Sequence, residues 1–212
     1  MSKTCCIVAA GPSEAYFEDG AYIIAADAGI KKLNALGINA DLIIGDFDSS
    51  EEKPKGDNVI TFPIKKDDTD TLLALKEAIK RGFDRVIISG GVGGELDHTI
   101  ANLQALIFAV KQGKKAYLVG DGYTATVIDN TSSLSFVKKD SGRCSVFAVG
   151  GDTIGVNIYG LNYEAENITL SPSFPIGVSN SFISKEAKIS AGEGTLLVVW
   201  QGSPEDINEH YR

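Results

Sequence analysis

The sequence predicts an α/β protein: a mainly parallel sheet with flanking helices, followed by a smaller all-β sandwich or barrel. Residues 1–121 alternate short runs that are apolar throughout with segments of helical periodicity, the pattern of a parallel sheet covered on both faces. From about residue 132 that periodicity stops, and short, often alternating segments bounded by Gly, Asn, Asp, Ser or Pro follow. Carboxylates also stand where apolar runs end and helices begin, the edge at which open α/β sheets bind ligands.

In chain order, the expected strands of the first part are Cys6–Ala10, Tyr22–Ala26, Leu42–Ile44, Val59–Phe62, Val86–Ser89 and Ala116–Val119. Helices are expected at about 28–37, 69–82 and 98–112. Leu72, Leu75, Ala78 and Ile79 recur at helical spacing in the second, and Ile100, Leu103, Leu106, Ile107 and Val110 in the third. The β-rich part is carried by LSFVKK, RCSVFAVGG, TIGVNIYG, EAENITLS, SNSFISKEAKIS and GTLLVVW. The expected domains are 1–128 and 133–204, with the polar residues 205–212 as a loosely held tail.

At 212 residues, 43% hydrophobic and 23% charged, the chain has the composition of a globular protein with a real core. A net charge of −8 argues against a general nucleic-acid binder, whose partner rewards basic surfaces. Nucleotides remain accessible to an acidic protein when a metal ion supplies local positive charge. No apolar run approaches the ~20 residues needed to span a bilayer. The stretch MSKTCCIVAAG is too short in apolar residues for a convincing signal peptide. Cys5, Cys6 and Cys144 show no zinc spacing and read as buried small hydrophobes, so the expected location is cytoplasmic.

Chemistry concentrates in three segments. In GDFDSS, Asp46 and Asp48 follow the strand of Leu42–Ile44, and both reach one metal if the turn at Gly45 rotates them to one side. The plainer alternative is a pair of turn-capping aspartates. In KKDDTDTLLAL, Asp67 or Asp68 is a plausible helix N-cap, yet capping does not account for three carboxylates around Thr69, among them Asp70. Backbone amides at this helix start, with Lys65 and Lys66 upstream, suit phosphate oxygens. In SGGVGGELDHTIANL, Gly90, Gly91, Gly93 and Gly94 let the backbone approach a ligand, although the spacing fits neither a P-loop nor a dinucleotide fingerprint. Asp97 and His98 stand at the following helix start, where an N-cap and a half-exposed histidine are the plainer reading. Asp27, Gly45–Asp48 and Gly90–Gly91 all fall just after expected strands and should converge on one edge. Trp200 and Tyr163 are aromatics suited to stacking on a flat ring, with core packing favoured for Trp200 at the end of GTLLVVW.

ADAG at 26–29, GDFDS at 45–49, DDTD at 67–70 and GGVGGELDHTIANL at 90–103, in this order, resemble bacterial thiamine pyrophosphokinases. The β-rich half with GVSNSF at 177–182 is similar to that family's smaller domain, so the resemblance spans essentially the whole chain. It implies Mg²⁺-dependent transfer of a pyrophosphoryl group from ATP to the hydroxyl of thiamine, giving thiamine diphosphate and AMP. It further implies a homodimer with sites built between the catalytic domain of one subunit and the β domain of the other. By the same resemblance Asp46, Asp48 and Asp70 are metal ligands and catalytic. Asp27, Lys66, Thr69, Gly90, Gly91, Gly93 and Gly94 lie on the nucleotide side. Asp97 is an acid close to the substrates, and Ser179 and Asn180 lie near thiamine. Glu95 departs from the pattern, since relatives often carry arginine there, and Lys65 or Lys66 would have to compensate. Two other functions are compatible with the same residues: a metal-dependent nucleotidyl- or phosphotransferase on another small alcohol, and a nucleotide sensor that performs no chemistry.

Overall fold

The computed structural model describes residues 4–47, 54–63 and 67–211. Contacts divide the chain into two compact units, residues 1–121 and 122–212.

The first unit contains β1 (Thr4–Val8), β2 (Tyr22–Ala26), α1 (Gly29–Ala35), β3 (Leu42–Gly45), β4 (Val59–Thr61), α2 (Asp70–Lys80), β5 (Arg85–Ser89), α3 (Leu96–Lys111) and β6 (Lys115–Gly120). Its strands run in the order β6-β5-β1-β2-β3-β4, and each pairing among them is parallel. Cys5, Cys6, Ile7 and Val8 of β1 and Val86, Ile87 and Ile88 of β5 are fully buried, as central strands covered on both faces must be. Gly29 opens α1 directly against β1: a Cβ there would come within 1.9 Å of the Val8 carbonyl oxygen.

The buried faces of the helices keep Leu75, Ala78 and Leu106 of the expected apolar stripes and are completed by smaller residues. Thr71, Ala74, Leu75 and Ala78 are the buried residues of α2, and Asn102, Ala105, Leu106 and Ala109 those of α3. Ile100 is half exposed. Small side chains let each helix approach closely, while Leu72, Ile79, Leu103 and Ile107 cover the flanks half-buried.

The second unit contains β7 (Tyr123–Asp129), β8 (Ser132–Lys139), β9 (Arg143–Ala148), β10 (Thr153–Tyr159), β11 (Ala165–Leu170), β12 (Asn180–Ser181), β13 (Lys185–Ser190), β14 (Thr195–Gln201) and β15 (Ile207–Tyr211). Its strands run β12-β9-β14-β7 and β11-β10-β13-β8-β15, antiparallel wherever they pair. Phe136 packs edge-on against both Trp200 and Phe182, with ring centroids 5.4 and 5.1 Å apart.

Three expectations need correction. The strands of the chain pair in a mixed rather than a mainly parallel fashion. Parallel neighbours need long crossovers, and among the described residues no α-helix follows Lys111 to supply one. The division falls at Asp121/Gly122 rather than after residue 128, so β7 belongs with the second unit. The expected tail at 205–212 is held over its described residues: Ile207–Tyr211 forms a strand against Ser132–Phe136 of β8. A 3-10 turn, Pro204–Asp206, leads into this strand and is closed by a capping box in which Ser203 N–H donates to Asp206 Oδ2 at 3.0 Å.

Candidate active site

Parallel pairing sends the C-terminal ends of β1, β2, β3 and β5 to one edge of the first unit. A cleft of about 490 Å³ lies in this unit, lined among others by Gly11, Asp27, Thr69, Asp70, Gly91 and Asn102.

Asp27 leaves β2 in the left-handed region, φ 48°, which aspartate tolerates better than most residues. Its N–H donates to the Ile44 carbonyl at 2.7 Å, tying it to the end of β3. Asp46 follows β3, and the buried Phe47 behind it also has positive φ, 53°. A bulky residue held in that conformation marks a locally over-determined backbone, and the Phe47 ring packs under Gly45. Asp70 is the first residue of α2. One carboxylate oxygen from each of Asp27, Asp46 and Asp70 lies within 4.8 Å of the others, and all three residues are half-buried.

Three carboxylates this close repel one another unless a cation joins them. Asp27 Oδ1 is buried and accepts no hydrogen bond from the described residues. An orphaned, buried oxygen in an all-oxygen donor set fits a hard divalent cation.

The helix start differs in detail from the sequence expectation. Thr69, not Asp67 or Asp68, is the N-cap of α2, and its Oγ accepts from Leu72 N–H at 3.2 Å. Asp68 instead pairs with Lys76 at 2.7 Å. Thr69, Asp70 and Thr71 all line the cleft.

The glycine loop after β5 lines the same cleft. Gly90 has φ 68°, and a Cβ would fall 2.3 Å from the Ala9 carbonyl oxygen. No other residue type fits that conformation and that approach together. Gly90, Gly91 and Gly94 line the cleft. Gly93, φ 81°, lies beside the Asp121 carboxylate instead.

Asp97 is the second residue of α3, is exposed, and accepts from the His98 N–H at 2.9 Å. With Glu95 and His98 it forms a second group whose ligand atoms lie within 4.8 Å, all exposed. Glu95 and His98 line the cleft; Glu95 occupies the N-cap position of α3 without a capping bond.

In the second unit Ser179 takes φ 59°, and its N–H donates to Ser145 Oγ at 3.0 Å. Asn180 is buried and doubly bound to the Tyr163 backbone: its Oδ1 accepts from Tyr163 N–H at 2.9 Å and its Nδ2 donates to Tyr163 O at 2.7 Å. Asn180 therefore holds Tyr163, whose own side is 70% exposed, whereas Trp200 is wholly buried. Asp48, Lys65 and Lys66 lie outside the described residues.

Sequence reasoning passed over Asn102 and Lys32. Asn102 Nδ2 donates to the Gly91 carbonyl at 2.8 Å from inside α3. A buried asparagine in a helix gives no periodic signal, and Lys32 stands in an unremarkable Lys-Lys pair.

The fold and cleft place the chain among the α/β proteins that receive ligands beyond the carboxyl ends of their strands, with Asp27, Asp70 and a glycine loop lining one cleft. Family models narrow this class. The thiamin pyrophosphokinase catalytic domain matches residues 13–118, and the thiamin pyrophosphokinase vitamin B1 binding domain matches residues 133–196. The chain belongs to the thiamin pyrophosphokinase family, and it is an enzyme of that family.

A thiamine pyrophosphokinase of Bacillus subtilis (strain 168) is 27% identical over 210 residues, 93% of this chain and 98% of that protein. Thiamin pyrophosphokinase 1 of Caenorhabditis elegans is 24% identical over 168 residues, 74% of this chain and 69% of that one. The crystal structure of the Bacillus subtilis protein matches with a TM-score of 0.84 at 25% identity, covering 95% of this chain and all of the other. Thiamin pyrophosphokinase from Candida albicans shares the fold at 13% identity, with a TM-score of 0.77 over 95% of this chain and 90% of that one.

Proposed function

We propose that this chain transfers the pyrophosphoryl group of ATP to the hydroxyl of thiamine, with Mg²⁺, yielding thiamine diphosphate and AMP. The observation that carries the reading is the trio Asp27, Asp46 and Asp70, with a buried Asp27 oxygen that accepts no bond from the described residues. These three side chains would hold the cation, joined by Asp48 on the strength of the family pattern. When bound, Mg²⁺ neutralises polyphosphate charge and lowers the barrier to displacement at phosphorus.

The chain's own residues supply position. Thr69 caps the start of α2, whose first residues line the cleft together with Gly90, Gly91 and Gly94 of the glycine loop. The thiamine oxygen forms a bond to the β phosphorus as the bond from that phosphorus to the α–β bridging oxygen breaks, and AMP leaves with the bridging oxygen. Asp97 is assigned to orient the attacking hydroxyl or take its proton. Ser179, Asn180 and, through Asn180, Tyr163 are assigned to the thiamine side, and a homodimer brings them to the cleft of the mate. Exposed Tyr163, Phe174, Ile176 and Val178 support a further partner surface on the second unit. A cytoplasmic location fits three unbridged, buried thiols.

Incubation with ATP, Mg²⁺ and thiamine, followed by separation of nucleotides, tests the reading. AMP with thiamine diphosphate supports it. ADP would assign a phosphotransferase, and absence of turnover a sensor.

A further inference from the structure

Under this reading a polyphosphate must enter a cleft whose lining carboxylates, among the described residues, are Asp27, Asp68, Asp70 and Glu95. The backbone sets a second obstacle, because a carbonyl oxygen turned toward a phosphate repels it. Gly11 and Gly91 both line the cleft, so the direction in which their carbonyl oxygens are held matters there.

Lys32, on the inner side of α1, answers both. Its ammonium donates to the carbonyl of Gly11 and, at 2.8 Å, to that of Ser13. It also stands 2.8 Å from the point a Cβ on Gly90 would occupy, directly behind the glycine loop. From the other side Asn102 holds the Gly91 carbonyl. Lys31 beside it is exposed, whereas Lys32 is half-buried.

We infer that Lys32 is a positioning residue for the nucleotide: it holds back the carbonyls of the loop after β1 and places one positive charge behind the glycine loop that faces the polyphosphate. The inference rests on reading the cleft as a nucleotide site. Partial burial strengthens the field of such a charge, since fewer waters screen it. The same burial holds the lysine pKa below its ordinary value, so the position costs something to keep charged. A lysine serving only to brace two loops would influence stability and leave nucleotide affinity alone.

The test compares wild type with Lys32→Met, Lys32→Gln and Lys32→Arg. Affinity for a non-hydrolysable ATP analogue with Mg²⁺ is measured by calorimetry, alongside steady-state kinetics and ligand-free melting. Lys32→Met is expected to weaken analogue affinity and raise the KM for ATP about tenfold, the scale of a lost charged hydrogen bond. The KM for thiamine should stay unchanged, and Lys32→Arg should recover part of the loss. Folded Lys32→Met with affinity within about twofold of wild type overturns the proposal. If that variant does not fold, Lys32→Gln decides by the same criterion, and failure of both to fold assigns Lys32 to stability and overturns it too. Wild type that binds the analogue but makes no thiamine diphosphate contradicts the proposed reaction while leaving the Lys32 comparison decisive. Wild type that binds no analogue overturns both.

Discussion

Asp27 carries the most weight of any single residue, because its left-handed backbone and its orphaned oxygen occur together. Asn adopts the same backbone conformation readily, so Asp27→Asn removes charge with little conformational penalty. Turnover is expected to fall at least about a hundredfold at saturating Mg²⁺. The ligand-free melting temperature should hold or rise, since repulsion with Asp46 and Asp70 is relieved. Near-normal turnover would remove Asp27 from the cation site. The cysteines give a pH prediction of definite sign. Burial pushes the Cys6 thiol from 9.0 up to about 11, and that of Cys144 up to about 12. The folded state thus keeps protons that the unfolded chain releases near pH 9. Their stabilising contribution is complete below that pH and is lost as pH rises toward 11, by up to about 1.4 kcal/mol per pH unit for each group. Urea denaturation between pH 8 and 10.5 should give a shallower decline for Cys6→Ala than for wild type, and parallel curves would contradict this.

At the scale of elements, legibility followed from how completely each segment is buried. The central parallel strands were readable because strands covered on both faces are apolar over most of their length, whereas edge strand β4 is half-buried and was marked by Val59 and Ile60. Asp27, Asp46 and Asp70 stand out in the sequence as candidates because they directly follow strands or open a helix, with Asp27 expected on the nucleotide side rather than in the carboxylate trio it joins. The faces of α2 and α3 were legible in part: Leu75, Ala78 and Leu106 of the expected stripes are buried, while Thr71, Ala74, Asn102, Ala105 and Ala109, which no stripe of large apolar residues marks, complete the buried faces. β15 escaped notice because INEHY has the composition of a solvated tail, while its pairing with β8 depends on backbone groups that composition does not report. Removing residues 207–212 is therefore expected to destabilise the protein by about 2 kcal/mol or more, from several ladder bonds each worth about 1 kcal/mol. A denaturant midpoint unchanged by that truncation would restore the tail reading. Lys32 and Asn102 were invisible for a related reason. Each acts on a backbone carbonyl, and their partners are distant in sequence.

For the whole molecule, the proposed dimer with shared sites makes a prediction that neither unit makes alone. Asn180→Ala releases Tyr163 and should impair thiamine use more than ATP binding. Mixed with Asp46→Asn, it should regain activity, because one site of each mixed dimer combines two unaltered halves. Subunit exchange without recovery would mean that each chain builds its site by itself. The claim on which the rest depends is transfer of two phosphoryl groups as a unit, and isotopic labelling addresses it most directly. Thiamine, Mg²⁺ and the protein are incubated with ATP carrying ³²P at either the α or the β phosphorus. The account predicts the β label in thiamine diphosphate and the α label wholly in AMP. A β label that stays with the nucleotide as ADP, while thiamine gains only the γ phosphate, would contradict it.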